Sequence, residues 1–261
     1  MSYIIAIANE KGGVAKTTTT LSLGAALVEN GAKVLVVDLD AQANLTLALG
    51  VEPSKVSRSI ANILLEGDLP ASSCQETGVP GLDLIPANSE MGLAERFLPI
   101  RQDYEFILRQ SLEKSFPNNY DYILLDCPPF LGAVTFNALT AAQMLLIPTQ
   151  AEYLSIHAIR NMLAAVRKIR ENNNPGLSYR LLVTMFDRRN RTHRTLAEQL
   201  RSTFGQGLME TSIFTDTKLR ESPIAGLPVI YYAPKSRASE QYRALAQEIN
   251  QYVQETAEQP A

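Results

Sequence analysis

The sequence predicts an α/β fold, a doubly wound and mostly parallel β-sheet flanked by helices. Short apolar runs alternate with amphipathic stretches along most of the chain, and several of these runs end in polar or acidic loops. A Gly-rich loop carrying lysine also lies between the first apolar run and the first helical stretch, the βα arrangement that binds phosphate. At 261 residues, 46% hydrophobic and 20% charged, the chain has ordinary globular composition, which excludes disordered and collagen-like classes. One domain over residues 1–254 is expected, followed by a polar tail, residues 255–261, that frays.

Taken in order, residues 3–8 (YIIAIA) read as a buried strand and residues 17–29 as a helix stopped by Asn30-Gly31. Residues 33–37 form a second buried strand ending in Asp38-Leu39-Asp40. A third is expected at residues 82–85, and another at 121–125 ends in Asp126 ahead of Pro128 and Pro129. Residues 90–114 look helical. Further strands are expected at 144–147, 179–183 and 228–230, alternating with helices near 134–142, 155–171, 192–203 and 237–254.

No leader-like N-terminus and no apolar window near eighteen residues is present, so a cytoplasmic protein is expected. The two cysteines, Cys74 and Cys127, and two histidines exclude a disulfide scaffold and a four-ligand zinc site, leaving oxygen ligands for a metal. Cys127 reads as a small packed residue. The net charge of −3 hides an asymmetry: residues 160–243 hold 15 Lys+Arg against 7 Asp+Glu. A basic segment inside an acidic chain is a surface for a polyanion, because each neutralised phosphate releases counterions, or else a set of solvated helix faces.

The most specific signal is Lys11-Gly12-Gly13-Val14-Ala15-Lys16-Thr17-Thr18, set between the first strand and first helix. Backbone N–H groups of such a loop converge on phosphate oxygens, Lys16 reaches the β/γ-phosphates, and the Thr17 hydroxyl serves Mg²⁺. Glu10 stands where the general motif has its first glycine, and a second lysine, Lys11, precedes the glycine pair. In this the loop resembles the deviant Walker A P-loop ATPases of the ParA/MinD group, K-G-G-x-G-K-[S/T]. The resemblance implies ATP and Mg²⁺ as cofactors and a nucleotide-sandwich homodimer in which Lys11 acts in trans on the partner's phosphates. Ala15 departs from the pattern, standing where the group usually has glycine, at a cost of order 1 kcal/mol if the backbone needs glycine-like freedom. ATP affinity is the quantity this affects.

Carboxylates at strand ends complete the expected site, since the carboxyl edge of a parallel sheet faces the ligand crevice. Asp38-Leu39-Asp40-Ala41-Gln42 resembles the family's D-x-D-x-Q element, which implies that Asp40 positions the attacking water and Asp38 supports the metal and switch geometry. Asp126 resembles the acid of a D-x-P-P Walker B variant on the Mg²⁺ side, so Thr17, Asp38 and Asp126 form the expected metal set. The segment around Phe186 and Asp187 resembles the family's adenine-contacting stretch, with Asp187 as the base contact and Phe186 and Pro234 as nucleotide neighbours.

Residues 213–236 resemble the ParA/Soj C-terminal signature, which places the chain in that branch. The branch implies binding of nonspecific double-stranded DNA, here through Arg188, Arg189, Arg191, Arg194, Lys218 and Arg220, by phosphate contacts that need no recognition helix. His193 reads as a plain surface residue. The resemblance further implies a small adaptor, ParB-like or belonging to an organelle, that stimulates a weak ATPase, and a nucleoid-associated location. The cargo classes are a plasmid, a chromosome or a protein organelle such as the carboxysome. A MinD-like membrane regulator is the alternative, disfavoured because residues 244–261 carry Glu248, Glu255 and Glu258 without Lys or Arg. A metabolic P-loop phosphotransferase is a second alternative. The loop begins at Lys11, which leaves no room for the N-terminal helix-turn-helix of larger partition ATPases, and two cysteines lack the context of an iron–sulfur reductase.

Overall fold

The computed structural model describes residues 2–258 apart from Asp68 and Leu154. Its strands are β1 (Tyr3–Ile7), β2 (Val34–Asp38), β3 (Gln75–Glu76), β4 (Leu82–Ile85), β5 (Tyr122–Asp126), β6 (Met144–Gln150), β7 (Ser178–Phe186) and β8 (Leu208–Phe214). They form one sheet in the order β3-β4-β2-β5-β1-β6-β7-β8, and every pairing is parallel except β3 with β4. The helices are α1 (Lys16–Glu29), α2 (Asn44–Ala48), α3 (Ile60–Glu66), α4 (Met91–Phe97), α5 (Ile107–Ser115), α6 (Ala133–Ala141), α7 (Ser155–Asn172), α8 (Arg191–Phe204), α9 (Lys218–Glu221), α10 (Val229–Tyr232) and α11 (Arg237–Glu258).

Helices cover both faces, which explains why the central strands read as unbroken apolar runs. Alternation along β1 sends Ile4 and Ala6 into the core under α3 to α7, and Ile5 and Ile7 into the core shared with α1 and α11. The register sets Asp126 beside Ile7 on one side and beside Asp38 on the other, so two strand-end carboxylates stand together next to the loop that leaves β1.

Two expectations are corrected. The apolar run 228–230 is no strand: Pro228, extended at ψ 150, leads into the helical turn α10, whose Val229 and Ile230 are buried. A three-residue run carries no period, and proline favours a helix entry over a ladder position. The helical stretch at 90–114 is split into α4 and α5 by short 3-10 turns, one opened by Leu98-Pro99 and the other preceded by Asp103 at φ 54. Strand β8, which the apolar pattern does not predict, is an edge strand carrying Glu210 and Thr211 amid its apolar residues. The Glu248 carboxylate accepts from the N–H groups of Glu210 and Thr211 at 2.7 and 3.0 Å, and Gln241 accepts from Phe214 N at 3.0 Å, so α11 caps this edge. Helix α11 continues to Glu258, inside the segment read as a tail, and Gln259, Pro260 and Ala261 lie outside the described residues. Among the described residues no helix is long and apolar enough to cross a membrane.

Candidate nucleotide site

The loop from Asn9 to Ala15 leaves β1 at the middle of the sheet, where strand order reverses around β1 and β5. Asn9 is buried and anchors it, donating through Nδ2 to the Pro148 carbonyl (2.8 Å) and accepting from Lys11 N (3.0 Å). Two further side chains grip the loop from the sheet: Thr184 donates to the Val14 carbonyl at 3.0 Å, and Gln150 Nε2 to the Gly13 carbonyl at 3.3 Å. The loop turns through left-handed backbone at Gly13 (φ 73) and again at Ala15 (φ 67, ψ 37) before α1 begins. Position 15 therefore does need glycine-like freedom. An L-residue in this region costs about 1–2 kcal/mol, which the surrounding hydrogen bonds hold in place.

Lys16 opens α1 with a buried side chain, and its ammonium donates to the Lys11 carbonyl at 3.4 Å. Burial lowers its pKa, and Asp126 opposes that shift. Thr17 donates to Asp126 Oδ2 at 2.7 Å and Thr20 to Asp126 Oδ1 at 3.1 Å. Asp126 is buried, and desolvation first, then the Asp38 charge, raises its pKa. Asp38 is raised by burial too, against the hydrogen bonds it accepts: Thr46 N at 2.9 Å, Thr46 Oγ1 at 2.7 Å and Asp40 N at 3.1 Å. Asp38 is thus wholly enclosed, and its bonds fix the turn carrying Asp40 and the start of α2. Asp40 accepts from Gln42 N at 3.0 Å and borders the cleft.

That cleft, of about 800 Å³, is bordered by Gly12, Gly13, Ala15, Lys16, Thr17, Thr18, Asp40 and Gln42, with Leu47, Pro129 and Ile224 at its rim. Val14 is buried and does not border the cleft. Lys11 is absent from the cleft wall; its ammonium turns to the β6–α7 connection, donating to Glu152 at 2.6 Å and Gln150 at 2.9 Å. Among the described residues no group of three or more His, Cys, Asp or Glu side chains gathers as a metal cage. The hydroxyl of Thr17 against the carboxylate of Asp126 is instead an oxygen-only pair, which suits Mg²⁺ held chiefly through water and phosphate.

A second cleft, of about 240 Å³, lies behind Gly13, Ala15 and Thr18 and is closed by Met185, Phe214, Thr215, Asp216, Leu219 and Arg220. Asp187, Phe186 and Pro234 do not line this cleft. Asp187 is paired with Arg189 at 3.2 Å, and Phe186 packs against His193 and Phe214. The Pro234 carbonyl accepts from Arg243. Met185 (φ 52), the next-to-last residue of β7, and Asp216, two residues past the end of β8, carry no signal in the sequence, since β8 has no recognisable period. His193 is more than a surface residue: its Nδ1 accepts from Asp187 N at 3.2 Å.

The basic residues gather on the same side of the sheet. The Arg188 and Arg237 guanidinium groups lie 4.5 and 5.1 Å from the Phe214 ring centroid, and Arg194 donates to the Arg188 carbonyl at 2.6 Å. Lys218 is paired with Glu221 at 2.7 Å, while Arg191 and Arg220 are exposed. Arg237 was not foreseen, since its place beside Phe214 depends on the packing of α11 against β8.

Fold, loop and strand-end acids define a P-loop ATPase. A family model described as an AAA domain matches residues 2–179. The sporulation initiation inhibitor protein Soj of Bacillus subtilis is 39% identical over 250 residues, which covers 95% of this chain and 98% of Soj. The chromosome partitioning protein ParA of Caulobacter vibrioides is 35% identical over 249 residues, covering 94% of this chain and 93% of ParA. The crystal structure of cobyrinic acid a,c-diamide synthase from Mycobacterium smegmatis with bound ADP and magnesium superposes with a TM-score of 0.86 at 32% identity, over 97% of this chain and 96% of that one. The chain belongs to the ParA/MinD family of P-loop ATPases, in the ParA/Soj partitioning branch.

Proposed function

We propose that this chain hydrolyses ATP as a Mg²⁺-dependent homodimer, binds nonspecific double-stranded DNA of the nucleoid in that state, and positions or segregates a cargo whose adaptor stimulates hydrolysis. In this reading residues 1–254 act as one ATPase domain. The observation that supports it most is the division between the two loop lysines: Lys16 lies in its own cleft, whereas Lys11 points out of it. The rim agrees, for Leu47 and Ile224 stand 54% and 89% exposed beside the phosphate loop, apolar surface suited to a second subunit.

Phosphoryl transfer to water asks for positioning and charge neutralisation. Backbone N–H groups of residues 12–18 and the start of α1 cradle the phosphates, and Lys16 holds the β/γ oxygens. Thr17 and Asp126 hold Mg²⁺, which neutralises phosphate charge. Asp38 supports this set from behind, through Asp40 N and Thr46. Asp40 orients the attacking water, and the base occupies the smaller cleft, where Met185 and Leu219 give apolar surface and Asp216 an acceptor. Arg188, Arg189, Arg191, Arg194, Lys218 and Arg220, joined by Arg237, supply the phosphate contacts to DNA.

DNA retention measured with ATP, ADP and no nucleotide tests switch and surface together. Retention only with ATP is expected, weakened severalfold by Arg191→Glu, an exposed residue that borders neither cleft, with ATP binding intact. Equal retention in all three states overturns the reading. The 32% identity to a cobyrinic acid amide synthase favours one other reading, a metabolic P-loop enzyme with a small-molecule acceptor. Product analysis separates the two, because water as sole acceptor excludes it.

A further inference from the structure

The Lys11 main chain is fixed at both polar groups: its N–H is held by Asn9 Oδ1 at 3.0 Å, and its carbonyl accepts from Lys16 Nζ at 3.4 Å. Only the side chain is free to choose a direction, and it has chosen three acceptors outside the cleft: Glu152 Oε2 (2.6 Å), Gln150 Oε1 (2.9 Å) and Ser155 Oγ (3.4 Å). These satisfy the three donors of a lysine ammonium, one each. Gln150 is tied to the same loop a second time, through its Nε2 on the Gly13 carbonyl, which orients its oxygen toward Lys11. Gln150, Glu152 and Ser155 also border a cavity of about 440 Å³ between α7 and α8, so solvent reaches the grouping from outside the phosphate cleft.

We infer that Gln150, Glu152 and Ser155 are a resting clasp for Lys11 in the single subunit, and that Glu152 is a positioning residue whose release of Lys11 is a condition for closing the ATP dimer. This rests on the proposed trans role of Lys11. A lysine that serves the partner's phosphates must first leave these acceptors, so every contact in the clasp opposes closure. The ion pair is half exposed, with side chains 25% and 46% accessible, so its hold is modest and reversible, as a switch requires. Breaking it raises the population of closed dimer at a given protein concentration.

Two measurements on Glu152→Gln in the full chain test this. Without nucleotide, the rate at which Lys11 is acylated by an N-hydroxysuccinimide ester, read peptide by peptide by mass spectrometry, is expected to rise at least threefold while other lysines are unchanged. With ATP and Mg²⁺, in an Asp40→Ala background that blocks turnover, the concentration for half-dimerisation by light scattering is expected to fall about fivefold, the scale of one such ion pair. Unchanged acylation of Lys11 overturns the clasp. Faster acylation with an unchanged or raised dimerisation midpoint overturns its control of closure. If neither protein dimerises, the dimer reading falls and the control of closure with it, while the acylation contrast still decides whether the clasp exists.

Discussion

The carboxyl edge of the sheet is built from charged residues at both ends, but in opposite ways. Around β2, β5 and β1 the charges are enclosed: Asp38, Asp126 and Lys16 are buried, and each is fixed by hydrogen bonds. Beyond β7 and β8 they stand in solvent; the Arg189 side chain is 91% exposed even though paired with Asp187. Burial makes each charge costly unless it is met by partners, so removing one member leaves the others uncompensated. Exposure makes each charge worth little alone, and a surface of that kind works by number, one phosphate at a time. One end of the edge is therefore intolerant of single substitutions, and the other is graded.

The strongest challenge to that contrast is Lys16→Ala, which is expected to weaken ATP binding roughly a hundredfold or more in calorimetry, the scale of a buried charge-assisted contact. Near-normal affinity would put the enclosed end on the same footing as the exposed one. Next in size is a pH effect. Burial raises the Asp38 carboxyl above its ordinary value of 3.8, so its contribution to stability is complete below that pH and is lost as pH rises toward neutrality. Thermal melts of the protein free of metal and nucleotide should show stability falling between about pH 4 and 7, and Asp38→Asn should flatten the profile by roughly 1–2 kcal/mol. A profile unchanged by the substitution means that Asp38 carries no such penalty. The smallest effect is expected of Ala15→Gly. It relieves about 1–2 kcal/mol of left-handed strain against about 0.5–1 kcal/mol of added chain entropy, raising Tm by about 1–3 °C. A lower Tm would show that the surrounding bonds had already removed the strain.

Much of the enclosed end was legible in the amino-acid order. Residues 11–18 lie between an apolar run and a helix, and Asp38, Asp40 and Asp126 end apolar runs, so each signal lies within a few positions of its neighbour. The residues that grip the loop were not legible: Asn9 meets the Pro148 carbonyl 139 positions away, and Thr184 meets Val14 across 170. The exposed end was half legible. Its positive charge is a matter of composition, yet the cleft that Met185 and Asp216 line is completed by β8, whose mixture of Glu210 and Thr211 with apolar residues hid the strand.

What the chain order determined by itself was the strand–loop–helix unit, the acids at the strand tips and the excess of positive charge after residue 160, because those patterns are short-range or compositional. Only the tertiary structure decided that Lys11 turns away from its own cleft, that position 15 is left-handed with an alanine in it, and that Asp187 pairs with Arg189 instead of facing the smaller cleft. These are outcomes of sheet order, which sets β6 beside β1 and β7 beside β6, and no local window of sequence specifies which distant strand supplies the partners of a side chain.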